Sequence, residues 1–340
     1  MTVDVIAAVL WLVVTAYALT GGADFGGGVW DLFAGGAEGG RRARSMIDRS
    51  IAPVWEANHV WLVVALVVLW TAFPRAFGPL MSTLFVPLSA AAFGIVLRGA
   101  GFALRQEART VRHQQAAGGA FALSSLITPF FMGAAAAAVV TGRVPATGTG
   151  SRLGSWTTPT ALTIGFLSIA AFAYLAAVYL TADSRRLDPG LTGYFVRRAL
   201  ASGVLTGALA GAVLYEISGS APRTMGRLTS GAGLPLFALS IALGVGVVAG
   251  LALGRRQVVR YGAAGAFAAL LWGGAVAQWP YLLPPHLTVH AAVAPGATID
   301  AELVVVGAIV VLVAPSFALL YRLTQRGVLG EHESGAGLLA

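Results

Sequence analysis

Residues 41–73 read RRARSMIDRSIAPVWEANHVWLVVALVVLWTAF: four arginines within nine positions, then an apolar run from Ile51 to Phe73. A helix that crosses a bilayer needs about 20 largely apolar residues, and this run supplies them. The alternation repeats along the chain. Apolar stretches fall at 3–25, 51–73, 77–97, 117–141, 158–181, 199–217, 231–253, 261–281 and 303–321. There is no lysine, so all 22 basic residues are arginine. Seventeen of them lie in the first, third, fifth and seventh connections and the C-terminal segment; only Arg75, Arg143, Arg152, Arg223 and Arg227 lie elsewhere. Positive charge gathers on the cytoplasmic side of membrane proteins. The pattern therefore predicts an all-α, polytopic integral membrane helix bundle of about nine transmembrane helices, N-terminus outside and C-terminus cytoplasmic.

Composition supports this reading. The chain is 57% hydrophobic and 11% charged, with a mean hydropathy of +0.79, whereas soluble domains carry about 25% charged residues. The net charge of +8 belongs to arginines that face anionic lipid headgroups, not nucleic acid. With no cysteine, disulfides, iron–sulfur clusters and thiolate metal sites are excluded. The first apolar run lacks a basic leader and a small-residue cleavage site, which reads as a retained span. Usage rich in Ala, Gly and Arg without lysine suggests a GC-rich bacterial genome. Residues 1–324 form a single transmembrane helical domain in this reading, and 325–340 a polar cytoplasmic tail. Residues 282–302, with three prolines, read as an irregular outer cap.

Charges inside hydrocarbon are costly and point to function. Asp24 ends the first apolar run within GGADFGGGVWDLF, and Asp31 follows seven residues later. Glu56 and His59 lie early in the second run, and Arg98 closes the third, placed to be their counter-charge. Burial disfavours an ionised carboxyl, and a carboxyl that titrates near neutral pH can pass a proton on. Asp24 and Glu56 are accordingly candidate relay acids; the alternative is that each acid is locked in a static pair with Arg98 or capped by backbone. Asp31 reads as a solvated helix end beside Arg41 and Arg42, and Glu216 as interfacial. His59, at i+3 from Glu56, suits hydrogen bonding or proton handling more than metal ligation. His286 and His290 lack further ligands nearby. Five glycines around Asp24 (Gly21, Gly22, Gly26, Gly27, Gly28) imply tight backbone contact or a helix break. Glycines at 203, 207, 211 and at 246, 250, 254 form flat faces for helix packing or a subunit contact.

GADFGGGVWDL followed by IAPVWEANHVWLV resembles subunit II of the cytochrome bd-type quinol oxidases. Arg98-Gly-Ala-Gly-Phe102 after the third run and the Trp279-Pro280 pair ending the eighth fit the same family, and the resemblance covers essentially the whole chain. It implies a multi-pass subunit of the bacterial cytoplasmic (inner) membrane. Its partner would be a haem-bearing subunit I that carries haem b, haem d and the quinol site, with room for small accessory subunits. The complex would oxidise quinol and reduce dioxygen to water with protons from the cytoplasm. Carried over by motif, Asp24 and Glu56 are the relay acids, supported by His59 and Arg98, with Trp61 beside an oxygen path. Family members often carry aspartate directly after the Gly-Phe pair, where this chain has Ala103; Glu107, one turn on, is the nearest substitute. Axial ligands for haem are not paired in this sequence, since His59, Met81 and Met132 are spread one per span. A proton-coupled secondary transporter using the same two acids is the competing reading.

Overall fold

The computed structural model describes residues 2–36, 39–107, 111–254 and 258–325; some side chains within these helices, Glu56 and Glu107 among them, lie outside the description. The chain folds as α1 (Thr2–Leu32), α2 (Arg41–Ala72), α3 (Pro74–Thr83), α4 (Phe85–Glu107), α5 (Val111–Val140), α6 (Pro159–Leu187), α7 (Thr192–Ser220), α8 (Pro222–Thr229), α9 (Leu234–Ala252) and α10 (Val259–Gln278). A small antiparallel hairpin of β1 (Tyr281–Leu283) and β2 (Leu287–Thr288), a single turn α11 (Val289–Ala292) and the long α12 (Gly296–Gln325) complete it. The bundle is all-α apart from that hairpin. Five described helices are individually long and apolar enough to cross a membrane, and a bent pair, Asn58–Ala72 with Pro74–Thr83, makes a sixth.

Two expectations need correction. The run 77–97 is not one helix. It is divided at Leu84 between α3 and α4, and α3 turns 118° from the end of α2. Prolines set both breaks: Pro74 opens α3, and Pro87 has no N–H to return to the carbonyl of Thr83. The segment 282–302 is also more ordered than an irregular cap, because Thr288 closes the hairpin and caps α11 by accepting from the Ala291 amide at 3.2 Å. The tail lies outside the described residues from 326 onward.

α1 is the central helix, packed against α2, α5 and α6. Its glycines mark close approach, not a break, for α1 is continuous through Asp24. At Gly26 a Cβ would run into the backbone carbonyl of Phe172 in α6, and at Gly28 into the Ser125 hydroxyl of α5. Trp30 then donates to the Ala173 carbonyl at 2.7 Å, fixing the rotation of α1 on α6. The later glycine faces differ. Gly203 meets the ring of Tyr174, while Gly207, Gly211 and Gly246 face open space.

The apolar core divides into two main parts. One gathers Ile6, Leu10, Phe73, Leu84, Leu283 and Ile299 around the first turns of α1. The other gathers Trp30, Ile47, Leu175, Phe195 and Leu251 around its last turns. Asp24 lies between the two.

Candidate functional site

Asp24 and Arg98 are both completely buried. Arg98 reaches from α4 and donates from Nε to Oδ1 and Oδ2 of Asp24, each at 3.0 Å, and from Nη2 to Oδ1 at 2.5 Å. Nη2 also donates to the backbone carbonyl of Asp24 at 2.6 Å, and Nη1 to Ser125 Oγ at 2.8 Å. The guanidinium carbon lies 4.8 Å from the Phe25 ring centroid and 4.1 Å from that of Phe121. Every face of the cation is therefore met by a carboxylate, a hydroxyl or an aromatic ring, the condition under which a charge is tolerated in a dry interior. Asn58 of α2 adds a donor from Nδ2 to Asp24 Oδ2 at 3.3 Å, and Thr20 Oγ1 donates to Asn58 Oδ1 at 3.4 Å. Four helices meet in one polar cluster.

The sequence placed Arg98 as the counter-charge, and the structure brings it to Asp24. It did not single out Asn58 or Ser125. Asn58 was visible as a polar residue in the second motif. Ser125 was not, because a serine that returns its proton to its own helix, here to the Phe121 carbonyl at 2.8 Å, costs little in a membrane and gives no signal. From α2, Asn58 is the residue observed on Asp24; the side chain of Glu56 lies outside the described ones, as does that of Glu107. Ala103 is exposed, and His59 and Trp61 are half-buried on α2.

Asp31 is the clearest correction. It is 3% exposed, not solvated. Arg44 folds back from α2 to lie 3.5 Å from its Oδ1 and donates to the carbonyls of Gly35 and Gly36. Arg44 thus ties the end of α1 to the start of α2 over a buried acid. Glu216 is half-buried and accepts from Thr163 Oγ1 at 2.9 Å. His290 stands 3.4 Å from Asp4. No cluster of three metal-ligating side chains occurs among the described residues.

Beyond Tyr17 the character changes. A cavity of about 300 Å3 opens among α1, α2, α3, α4 and α5, walled by Leu10, Val14, Leu62, Ala65, Leu84 and Ala135. Met81 and Met132 share its wall, but no histidine or arginine does. A haem needs axial donors and cationic partners for its propionates, so this lining does not fit one. Trp61 is not among the lining residues; its neighbour Leu62 is.

Residues 2–324 match the family model for cytochrome bd terminal oxidase subunit II. The chain is similar to the Bacillus subtilis cytochrome bd ubiquinol oxidase subunit 2, 29% identical over 129 residues, which cover 36% of this chain and 37% of that protein. It is also similar to the Escherichia coli K12 cytochrome bd-I ubiquinol oxidase subunit 2, 28% identical over 136 residues, 39% of this chain and 35% of that protein. These alignments span little more than a third of either relative. The likeness to the solved bd oxidase from Geobacillus thermodenitrificans is broader: TM-score 0.80 at 25% identity, covering 95% of this chain and 98% of the matched one.

Proposed function

Because the chain belongs to the cytochrome bd terminal oxidase subunit II family, we propose that it is the haem-free subunit of a bd-type quinol oxidase. It is a multi-pass protein of the bacterial cytoplasmic membrane. Nine spans with the N-terminus outside are the reading that the arginine distribution supports. The partner is a subunit I that carries haem b, haem d and the quinol site. Together the two subunits oxidise quinol and reduce dioxygen to water. The match over residues 2–324 carries this reading.

This chain's own residues then have separable tasks. Glu56 is the acid that takes up and releases protons on the cytoplasmic half of the second span, with His59 beside it and Glu107 near the mouth of the path. Asp24 is the second relay acid, and Arg98 fixes where its carboxylate stands. The run from Thr20 through Asn58 to Asp24 supports a hydrogen-bonded line between the two motifs. The apolar cavity beyond Tyr17, lined by Leu62 next to Trp61 in the chain, suits a small nonpolar gas and supports an oxygen path on that side.

The test is purification through a tag on this chain, with optical spectra and quinol-dependent oxygen uptake measured on the same sample. Haem b and haem d bands that travel with a second polypeptide, and oxygen uptake that requires both, are the expected result. A chain that purifies folded without a haem-bearing partner sinks the proposal.

A further inference from the structure

α2 begins ten residues before its apolar run, at Arg41 rather than Ile51. That overhang sets Arg42, Ser45 and Arg49 at i, i+3 and i+7, on one helix face. With Leu187 and Asp188 from the end of α6 and the buried Met46, they line a cavity of about 210 Å3. Asp188 sits at its edge, gripped by Arg42 through Nε at 2.6 Å and Nη2 at 2.5 Å. Those hydrogen bonds hold the Asp188 carboxyl below the usual carboxylate range, so at neutral pH it offsets one of the two arginine charges. The neighbouring residue 190 is glycine, where a Cβ would meet Arg42 Nη2 at 2.6 Å. The hollow therefore has a cationic wall, a hydroxyl and an aliphatic edge at Leu187. Under the arginine-derived topology it lies at the level of the inner-leaflet headgroups.

We propose that this hollow binds an anionic phospholipid of the inner leaflet, its phosphodiester between Arg42 and Arg49 and its glycerol against Leu187. Arg49 can bind the phosphate through two parallel hydrogen bonds, while Arg42, whose Nε and Nη2 are held by Asp188, offers Nη1. Leu187, exposed at the edge of the hollow, gives a lipid an apolar contact that a soluble phosphate cannot use. The proposal rests on the membrane topology and not on the oxidase reading, and its test reads lipid, not turnover.

The purified complex is placed in phosphatidylcholine nanodiscs containing graded fractions of phosphatidylglycerol, and retained lipid is read by native mass spectrometry. Loss of one arginine near an anionic membrane surface weakens binding about fivefold, so Arg42→Gln with Arg49→Gln should weaken phosphatidylglycerol retention about 25-fold. Arg41→Gln removes the same charge on the same helix turn but outside the hollow, and should change retention far less. Asp188→Asn should tighten it. If the double variant does not assemble, Ser45→Asp places a negative charge in the hollow and should expel the lipid on its own. Equal losses from Arg41→Gln and Arg42→Gln would show a diffuse surface potential and overturn the site. Displacement of the lipid by glycerol phosphate or inorganic phosphate in the buffer would assign the hollow to a soluble anion and overturn the lipid.

Discussion

Replacing Asp24 by asparagine changes one oxygen to nitrogen, yet the structure makes it a severe substitution. Four of the five hydrogen bonds that Arg98 donates end on Asp24, three on its carboxylate and one on its carbonyl. Arg98 has no exposed surface through which water could reach it. Without the carboxylate the guanidinium keeps Ser125 and two phenyl rings, which orient a cation but do not neutralise it. Removing one partner of a buried ion pair costs about 3–5 kcal/mol, a large share of the roughly 5–15 kcal/mol by which a folded domain is stable. Asp24→Asn should therefore be felt first in assembly, as lower yield and a lower melting temperature of the purified complex, whatever proton traffic Asp24 carries. Arg98→Gln should do the same. The double variant Asp24→Asn with Arg98→Gln should melt higher than either single one, because no unpaired charge remains. If Asp24→Asn assembles and melts like the parent while turnover alone falls, the pair is not a strut. If the double variant is as damaged as the two single ones added together, the residues are not coupled.

Glu56→Gln keeps the shape and hydrogen-bonding capacity of the acid but removes its proton. It should slow steady-state quinol oxidation strongly with haem spectra intact, and full turnover in an assembled variant would make Glu56 structural. Gly26→Ala should cost about 1–3 kcal/mol through overpacking, since the new Cβ meets a main-chain carbonyl of α6 that no rotamer change can move. Gly99→Ala, beside Arg98 but facing open space, should leave the melting temperature unchanged; equal effects at both glycines would refute the packing argument. A reporter fused after residue 45 should read cytoplasmic and one near residue 290 external, and the reverse pattern would invert the topology.

The helices were legible because lipid imposes one length and one composition on anything that crosses it. α2 shows where that reading stops. The apolar run marked Ile51 as its start, but the helix continues through four arginines to Arg41, since a helix leaving the bilayer need not end there. The break at Leu84 was hidden for the opposite reason: α3 is apolar enough to read as part of a span, and hydropathy carries no direction. At the site, charge was readable and neutrality was not. Asp24 and Arg98 stand out in an apolar sequence, whereas Asn58 and Ser125 satisfy that pair without any charge of their own. Asp31 was misjudged because arginines at 41 and 42 suggested solvent. Arg44 instead folds back from α2 to Asp31, which is buried, a contact between two helix ends that composition does not show.

Tyr17, Asp24 and Asp31 follow one another at intervals of seven along α1, about 10.5 Å apart along the axis and nearly on one face. Asp24 and Asp31 are each met by an arginine, while Tyr17 borders a cavity whose lining is almost entirely carbon. One helix face thus passes from ion pairs to an apolar void, and in the topology proposed above the ion pairs take the cytoplasmic half and the void the outer half. Protons need the first environment, and dioxygen, which is small and nonpolar, partitions into the second. The two proposed routes are then separable by substitution. Ala65 lines the void, and Ala65→Phe would fill part of it without touching the ion pairs. If dioxygen reaches the reaction centre through this void, Ala65→Phe should raise the KM for dioxygen while kcat at saturating dioxygen, and the haem spectra, stay at parental values. Glu56→Gln should show the opposite split, a lower kcat with little change in the KM for dioxygen. An Ala65→Phe complex with a parental KM for dioxygen would mean that the gas arrives elsewhere, and the void would then be only a gap in the packing of α1 against α2 and α5.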